Sequence, residues 1–258
     1  MTVTLLDPGA DVAAHGYWRG VEEIPPGWGR SVVTLGVFDG LHRGHVRLLE
    51  RAVDLGRRRG LPVVLATFDP HPARITGPPR DTTPLVDLDR RAELAREHGA
   101  DAVLVLPFCE TMARTPAVGF AVDVLVRALH ATDVVVGENF RFGHRGAGDV
   151  GLLRQLGARH GFTAHGVPLV PGCSSTRVRS LVATGDVAGA VQVLGRPHRV
   201  EGHARGGRVE ITGEALLPPP GRYRVRVDGA PATVIVAGRA IELPAADGPV
   251  RIDFVGDA

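Results

Sequence analysis

The run Ser31-Val32-Val33-Thr34-Leu35, followed by Gly36-Val37-Phe38-Asp39-Gly40-Leu41-His42-Arg43-Gly44-His45, restricts the chain more than any other feature. An apolar strand enters this segment, and an amphipathic helix from Val46 to about Arg59 leaves it. Gly36, Gly40 and Gly44 let the backbone approach a ligand closely and take turns that a side chain forbids. His42 and His45 fall where the helix begins, so unpaired backbone N–H groups and the positive end of the helix dipole point at the same place. A phosphate group suits such a place, and two imidazoles beside it can donate to charge that develops in phosphate chemistry. The plainer reading of the histidines is a helix-capping or surface pair.

From Ser31 onward strand and helix patterns alternate. Strand-like segments are 31–35, 62–68, 102–106, 133–136 and 162–167, with helical patterns at 46–59, 89–98, 118–129 and 149–160 between them. Short apolar strands separated by helices of this length predict an α/β fold with a parallel sheet covered on both faces. In such sheets ligands bind at the carboxyl ends of strands, which is where the glycine–histidine turn falls. Two short helices, 176–184 and 186–194, follow, the second with Asp186 as N-cap. After Gly195-Arg196-Pro197 six short β-type runs (199–204, 209–211, 222–227, 233–237, 240–243, 250–255) predict a small antiparallel barrel or sandwich. The expected division is 1–30 as a lead-in packed on the first domain, 31–195 as the α/β domain, and 196–258 as the β domain.

Composition removes several classes of chemistry. None of the 30 Lys and Arg residues is lysine, which excludes a Walker A loop and Schiff-base catalysis through a side chain. Any phosphate clamp must use Arg, His or backbone. The net charge of +2 gives no global call for nucleic acid or an anionic membrane. Cys109 and Cys173 are isolated, so neither a disulfide framework nor a zinc site is indicated, and a reducing cytoplasm fits. No apolar run approaches the ~20 residues of a membrane span. The segment carrying Asp7 and Asp11 has no basic-then-apolar pattern, so no secretory signal is expected. Oligomeric state leaves no trace in the sequence.

Three further motifs end strands or begin helices. Thr67-Phe68-Asp69-Pro70-His71-Pro72 closes the second strand with two prolines around a histidine and an aromatic wall. It reads equally as a rigid strand exit. Gly137-Glu138-Asn139-Phe140-Arg141-Phe142-Gly143 places two aromatics on a loop, where they can sandwich a flat heterocycle or belong to the core; Asn139 can read ring heteroatoms. Ser174-Ser175-Thr176-Arg177-Val178-Arg179 offers hydroxyl caps to a helix start, and the same start is an anion site with Arg179 one turn along. Gly146-Ala147-Gly148-Asp149-Val150-Gly151 matches G-x-G-x-x-G, but it does not follow a strand directly and lacks the downstream acidic residue of a dinucleotide fold. Arg57-Arg58-Arg59 reads as a helix end favoured by the dipole.

Together these motifs resemble the HxGH-type nucleotidyltransferases, and within them the adenylyltransferase module of bacterial bifunctional riboflavin kinase/FAD synthetases. The likeness spans roughly Tyr17 to Glu201 and includes Tyr17-Trp18-Arg19-Gly20, Trp28-Gly29-Arg30 and Gly195-Arg196-Pro197. It implies an FMN adenylyltransferase with ATP and FMN as substrates. Asp39, His42, His45, Ser175, Thr176 and Arg179 would be catalytic. Gly36, Phe38, Gly40, Gly44, Ser174 and Arg177 would bind the nucleotide. Phe68, Pro70, His71, Pro72, Asn139, Phe140 and Phe142 would seat the flavin. Mg²⁺ would ride on the nucleotide phosphates, with no protein metal ligands.

Beyond Glu201 the likeness weakens. The family's kinase motif G-x-x-L-G-x-P-T-A-N is missing where Gly206-Gly207 passes into Arg208, so kinase activity is expected to be lost and the β domain to be a truncated remnant. Val170–Cys173 is shortened, and His198 replaces the usual Tyr. The alternatives are a transferase using another phosphorylated acceptor or CTP, and a flavin-binding regulatory protein without catalysis.

Overall fold

Six strands form one parallel sheet: β1 (Tyr17–Trp18), β2 (Ser31–Leu35), β3 (Val63–Asp69), β4 (Ala102–Pro107), β5 (Ala131–Gly137) and β6 (Thr163–Val167). The structure, a computed structural model, describes residues 16–78, 80–243 and 247–255, so the first half of the lead-in, with Asp7 and Asp11, lies outside the described residues. The strand order is β1-β4-β3-β2-β5-β6. The chain moves outward from β2 through β3 to β4 and then returns to the other side of β2 as β5 and β6. The order therefore reverses between β2 and β5, and in open sheets of this kind that is where the crevice for a ligand lies. β2 carries five buried residues in succession, as a strand covered on both faces must.

The helices are α1 (Arg43–Arg59), α2 (Leu88–Glu97), α3 (Glu110–Arg114), α4 (Ala117–Phe120), α5 (Val150–His160), α6 (Ser175–Ala183) and α7 (Val187–Leu194). Helix α1 starts three residues before its apolar periodicity does, because Arg43 and Gly44 sit in its first turn without contributing an apolar face. The pattern over 118–129 is real but not a plain α-helix. After Phe120 it widens into a π-helix, Ala121–Ala128, and Leu129 N donates to the Val124 carbonyl at 3.0 Å. Helix α5 begins as its sequence indicates, with the Asp149 carboxylate accepting from Leu152 N at 2.9 Å. Gly146 and Gly148 precede that cap in a loop, consistent with setting aside the G-x-G-x-x-G match.

Arg59, in the last turn of α1, does more than end a helix. It reaches Asp133, at 3.1 Å, which is fully buried on β5 and also bonds His165 on β6 at 2.8 Å. Burial alone would raise the Asp133 pKa, but hydrogen bonds from His165, Thr132 and Arg59 outweigh it and hold the carboxyl below its usual value.

The last six strands are β7 (His198–Arg205), β8 (Arg208–Ile211), β9 (Gly221–Val227), β10 (Ala230–Ala237), β11 (Ala240–Glu242) and β12 (Gly248–Phe254). They close into an antiparallel barrel in the order β10-β11-β8-β7-β12-β9. Alternate residues face inward, and Val200, Ala204, Val209, Val225, Val234, Val236, Ile241, Ile252 and Phe254 fill the interior. Strands β7 and β8 are joined by Gly206-Gly207 alone, both with positive φ (55° and 80°), the conformation a two-residue hairpin of this hand needs. Both sheet architectures were expected from the sequence.

The chain forms two compact units. One holds residues up to Val37, His45–Arg80 and Ala92–Leu169; the other holds Phe38–Gly44, Asp81–Arg91 and the chain from Val170 onward. The parallel sheet belongs to the first, and α6, α7 and the barrel to the second.

Phe254 is fully buried in the barrel, its ring 5.7 Å from Tyr223 and 6.1 Å from His198. Phe254→Ala is expected to destabilise the protein by about 3–5 kcal/mol, through lost burial and the cavity left behind. Denaturant unfolding followed by fluorescence and circular dichroism checks this.

Candidate active site

The turn between β2 and α1 is built against backbone preference. Phe38 (φ 52°) and Leu41 (φ 35°) take left-handed conformations without being glycine, and Gly40 (φ 75°) sits between them. Such residues cost on the order of 1 kcal/mol each and persist only where the surroundings enforce them. Gly40 is required twice over, since a Cβ there would also stand 2.7 Å from Leu85 Cδ1.

The enforcement comes from Asp39. Its carboxylate is buried, accepts from Leu85 N at 3.0 Å, and pairs with the buried Arg179 guanidinium. Arg91, also buried, approaches it at 3.9 Å. The Asp39 carbonyl accepts from Ser175 Oγ at 2.8 Å, and Arg179 Nε donates to the Thr83 carbonyl at 2.8 Å. Isolated buried charge is unstable, but here one carboxylate meets two guanidiniums and a backbone donor.

His42 follows in extended backbone (φ −67°, ψ 169°) immediately before α1, the position of an N-cap. Its imidazole is buried against Gly44, where a Cβ would lie 3.1 Å from His42 Cε1 and Nδ1. The glycine of H-x-G-H is thus the space into which the first histidine packs. His45 lies half-buried in the first turn of α1. Burial, and then the Arg196 charge, push the His42 pKa down from 6.5 to about 4. The ring is therefore neutral at physiological pH and donates through one nitrogen. Arg196 binds the turn directly: its guanidinium donates to the Gly40 carbonyl at 2.8 Å and the Leu41 carbonyl at 3.4 Å.

Helix α6 begins with Ser174 as N-cap, its hydroxyl accepting from Arg177 N at 3.1 Å. Thr176 and the Arg177 side chain are exposed at this start, whereas Arg179 is turned inward. The structure therefore brings Asp39, Ser175 and Arg179 into one network and leaves Ser174, Thr176 and Arg177 at the helix mouth. Arg91, Arg196, Thr83 and Leu85 join the network without having been singled out from sequence. Of these only Arg196 stood in a recognisable motif.

The aromatic segments belong to the first unit. Phe68, next to last in β3, is buried, with its ring 5.7 Å from Phe108 and 6.2 Å from Phe120. Pro70 follows a cis peptide bond, and Pro72 opens a short 3₁₀ turn capped by His71, whose Nδ1 accepts from Ala73 N at 3.1 Å. Phe140 and Phe142 stack on each other, centroids 5.7 Å apart and planes 13° from parallel. Phe142 is core and Phe140 half-buried, so the pair closes on itself rather than opening a slot between its rings. Asn139 is exposed beside Gly137, at the carboxyl end of β5.

Just beyond these segments lies a cavity of about 600 Å³. It is lined by Ile75–Gly77, which follow the Pro-His-Pro segment; by Gly143–Gly146, which follow Phe142; and by Phe108, Glu110, Ala113 and Arg114. Of these lining residues only Gly143 and Gly146 stood in a motif, the latter in the G-x-G-x-x-G match set aside above, although the aromatic and Pro-His-Pro motifs border the space on both sides.

The parallel sheet with its order reversal beside β2, continued by a closed antiparallel barrel, defines a doubly wound α/β protein with an appended β domain. A crystal structure described as a macrolide-efflux protein from Streptococcus pneumoniae has this same fold, with a TM-score of 0.81 at 21% identity, over 94% of this chain and 90% of that one. A sequence profile of the FAD synthetase family matches residues 25–181, and the chain belongs to that family. It is 36% identical over 199 residues to the bifunctional riboflavin kinase/FMN adenylyltransferase of Pseudomonas fluorescens, covering 74% of this chain and 62% of that protein. The enzyme of the same name from Escherichia coli K12 is 35% identical over 179 residues, covering 66% and 56% respectively. The chain thus spans somewhat over half the length of these relatives.

The depressed His42 value has a consequence for stability. Above pH 6.5 the ring is neutral folded and unfolded, and contributes no pH dependence. Between 6.5 and about 4 the unfolded chain binds a proton that the folded one does not, so stability falls with falling pH by up to about 3 kcal/mol. Buried His198, its pKa also lowered by burial, acts in the same direction. His42→Gln should flatten the decline in unfolding free energy over this window relative to the parent, and imidazole NMR should place the parent's midpoint near 4.

Proposed function

We propose that the chain is an FMN adenylyltransferase. A phosphate oxygen of FMN attacks the α-phosphorus of ATP in line. The bond to the β-phosphate oxygen breaks, and FAD and pyrophosphate result. The observation that carries this reading is the turn itself: Asp39 fixes its entry, neutral His42 closes it, and the first backbone N–H groups of α1 and His45 follow directly in the chain. Those donors suit an α-phosphate whose charge rises in the transition state, and catalysis then rests on positioning and electrostatics.

Roles divide by burial. Asp39 and Arg179 act from beneath, Ser175 ties α6 to the turn, and the exposed Thr176, Arg177 and N-terminal amides of α6 receive the pyrophosphate. Gly36, Gly40 and Gly44 keep the backbone close to the phosphates. For the flavin, the cavity beside Phe108 is the best seat, with Phe68, Pro70, His71 and Pro72 shaping one border and Asn139, Phe140 and Phe142 the other. A volume of about 600 Å³ is in the range of pockets that take ligands of this size.

Mg²⁺ arrives with the nucleotide in this reading and neutralises phosphate charge. Among the described residues no group of three His, Cys, Asp or Glu side chains is gathered for a metal, and the Asp39 carboxylate is already engaged by Arg179 and Leu85. Riboflavin kinase activity is not part of the proposal: the barrel interior is filled by side chains, and the β7–β8 connection is two glycines. No described helix is long and apolar enough to cross a membrane, and a cytoplasmic location among soluble ATP and FMN fits. Another acceptor, CTP, or a purely regulatory role gains no support from the relatives, whose names specify FMN adenylyl transfer.

Incubation with Mg-ATP and, separately, FMN, riboflavin or no flavin, followed by chromatography, tests the proposal. FAD and pyrophosphate are expected from FMN alone; FMN formed from riboflavin would overturn the loss of kinase activity. His45→Ala should lower kcat by about 10²–10³ with little change in KM, and an unchanged kcat would remove His45 from the chemistry.

A further inference from the structure

Arg196 occupies a position whose backbone is fixed on both sides. Gly195 closes α7 in a left-handed conformation (φ 79°), with its N–H on the Val191 carbonyl at 2.7 Å. Pro197 restricts the residue before it to extended geometry. A Cβ on Gly195 would stand 3.2 Å from Arg43 Cγ, so the glycine also admits the Arg43 stem. From this fixed point the Arg196 guanidinium, half-buried, spans two consecutive carbonyls of the turn, Gly40 at 2.8 Å and Leu41 at 3.4 Å. These are the two residues that bring the left-handed part of the turn to its end, directly before His42.

Asp39 secures the entry to that turn, whereas Arg196 secures its exit. The planar fork is well matched to two neighbouring oxygens, and an ammonium is not. Two of its donors are thus directed at backbone of the turn. Its charge does reach His42, where it adds to burial in holding the imidazole neutral.

We infer that Arg196 is a positioning residue for the proposed adenylyl transfer, clamping the Gly40–Leu41 carbonyls so that His42 and the first amides of α1 are held in their working orientation. This rests on the turn being the seat of the reaction. It adds that the segment joining α7 to the barrel helps to set the geometry of that turn.

Arg196→Lys and Arg196→Gln, in the full chain, test this against the parent. Circular dichroism and melting first establish that each is folded, and Lys serves if Gln is not. In both variants kcat for FAD formation is expected to fall roughly 10- to 100-fold while KM for ATP changes less than about threefold, and in Arg196→Gln alone the His42 NMR midpoint is expected to rise from about 4 toward 6.5. The Lys variant should retain the charge effect on His42 while losing kcat, since one ammonium cannot bridge both carbonyls. Unchanged kcat in a folded variant overturns the inference. So does a loss confined to ATP affinity, which would make Arg196 a binding residue. If the parent itself makes no FAD from FMN, the adenylyl-transfer reading fails. Amide exchange of Leu41 and His42 still reports then whether Arg196 holds the turn: faster exchange in the variants supports the clamp, and unchanged exchange overturns it.

Discussion

The ion pair between Asp39 and Arg179 organises the second unit. A carboxylate with almost no solvent contact must be compensated locally, and the compensation arrives from Arg179 on α6, Arg91 on α2 and a backbone amide of the 81–91 segment. Two stretches of chain distant in sequence, 81–91 and α6, are thereby tied to one tight turn. Replacing such a cluster by apolar side chains can be neutral for stability, so its ionic character points to a use beyond holding the fold.

The same network explains how the turn tolerates its own geometry. Phe38 and Leu41 hold backbone conformations that cost energy in isolation, and Phe38 is nevertheless fully buried. Packing, the Asp39 bonds and the Arg196 fork supply the constraint, and the result is a stiff platform for His42 and Gly44. Rigidity is useful where charge must be met without rearrangement, because dipoles already aligned need no reorganisation when the reaction occurs.

Much of this was legible from the residues. The alternation of Val/Leu-rich runs with amphipathic segments predicts the parallel sheet, and Ser174 and Asp186 mark helix starts by a local mechanism that sequence exposes directly. The widened helix after Phe120 was not legible, because a π turn preserves an amphipathic appearance. Arg179 shows a sharper difference. Its place one turn into α6 suggested a ligand-facing fork, but helical spacing does not say which face is buried, and tertiary packing turns it to Asp39. The aromatic loop shows the same limit: Phe140 and Phe142 share a direction, as their spacing implies, yet they stack on each other, and the nearby cavity is lined by unremarkable residues such as Ile75, Thr76 and Ala113. Arg91 carries no local signal at all, since nothing in a helix repeat marks an arginine destined for the interior.

The order of staves in the barrel has a consequence for how the protein is made. Strand β12, the last in sequence among those described, is hydrogen-bonded on one side to β7 and on the other to β9. A nascent chain released up to Leu243 would therefore hold two exposed strand edges facing a gap, a surface prone to pairing with other chains. Only when β12 is added do both edges vanish together. The barrel thus closes in a single step, and a chain lacking this stave would present a sticky product suited to capture by chaperones or proteases.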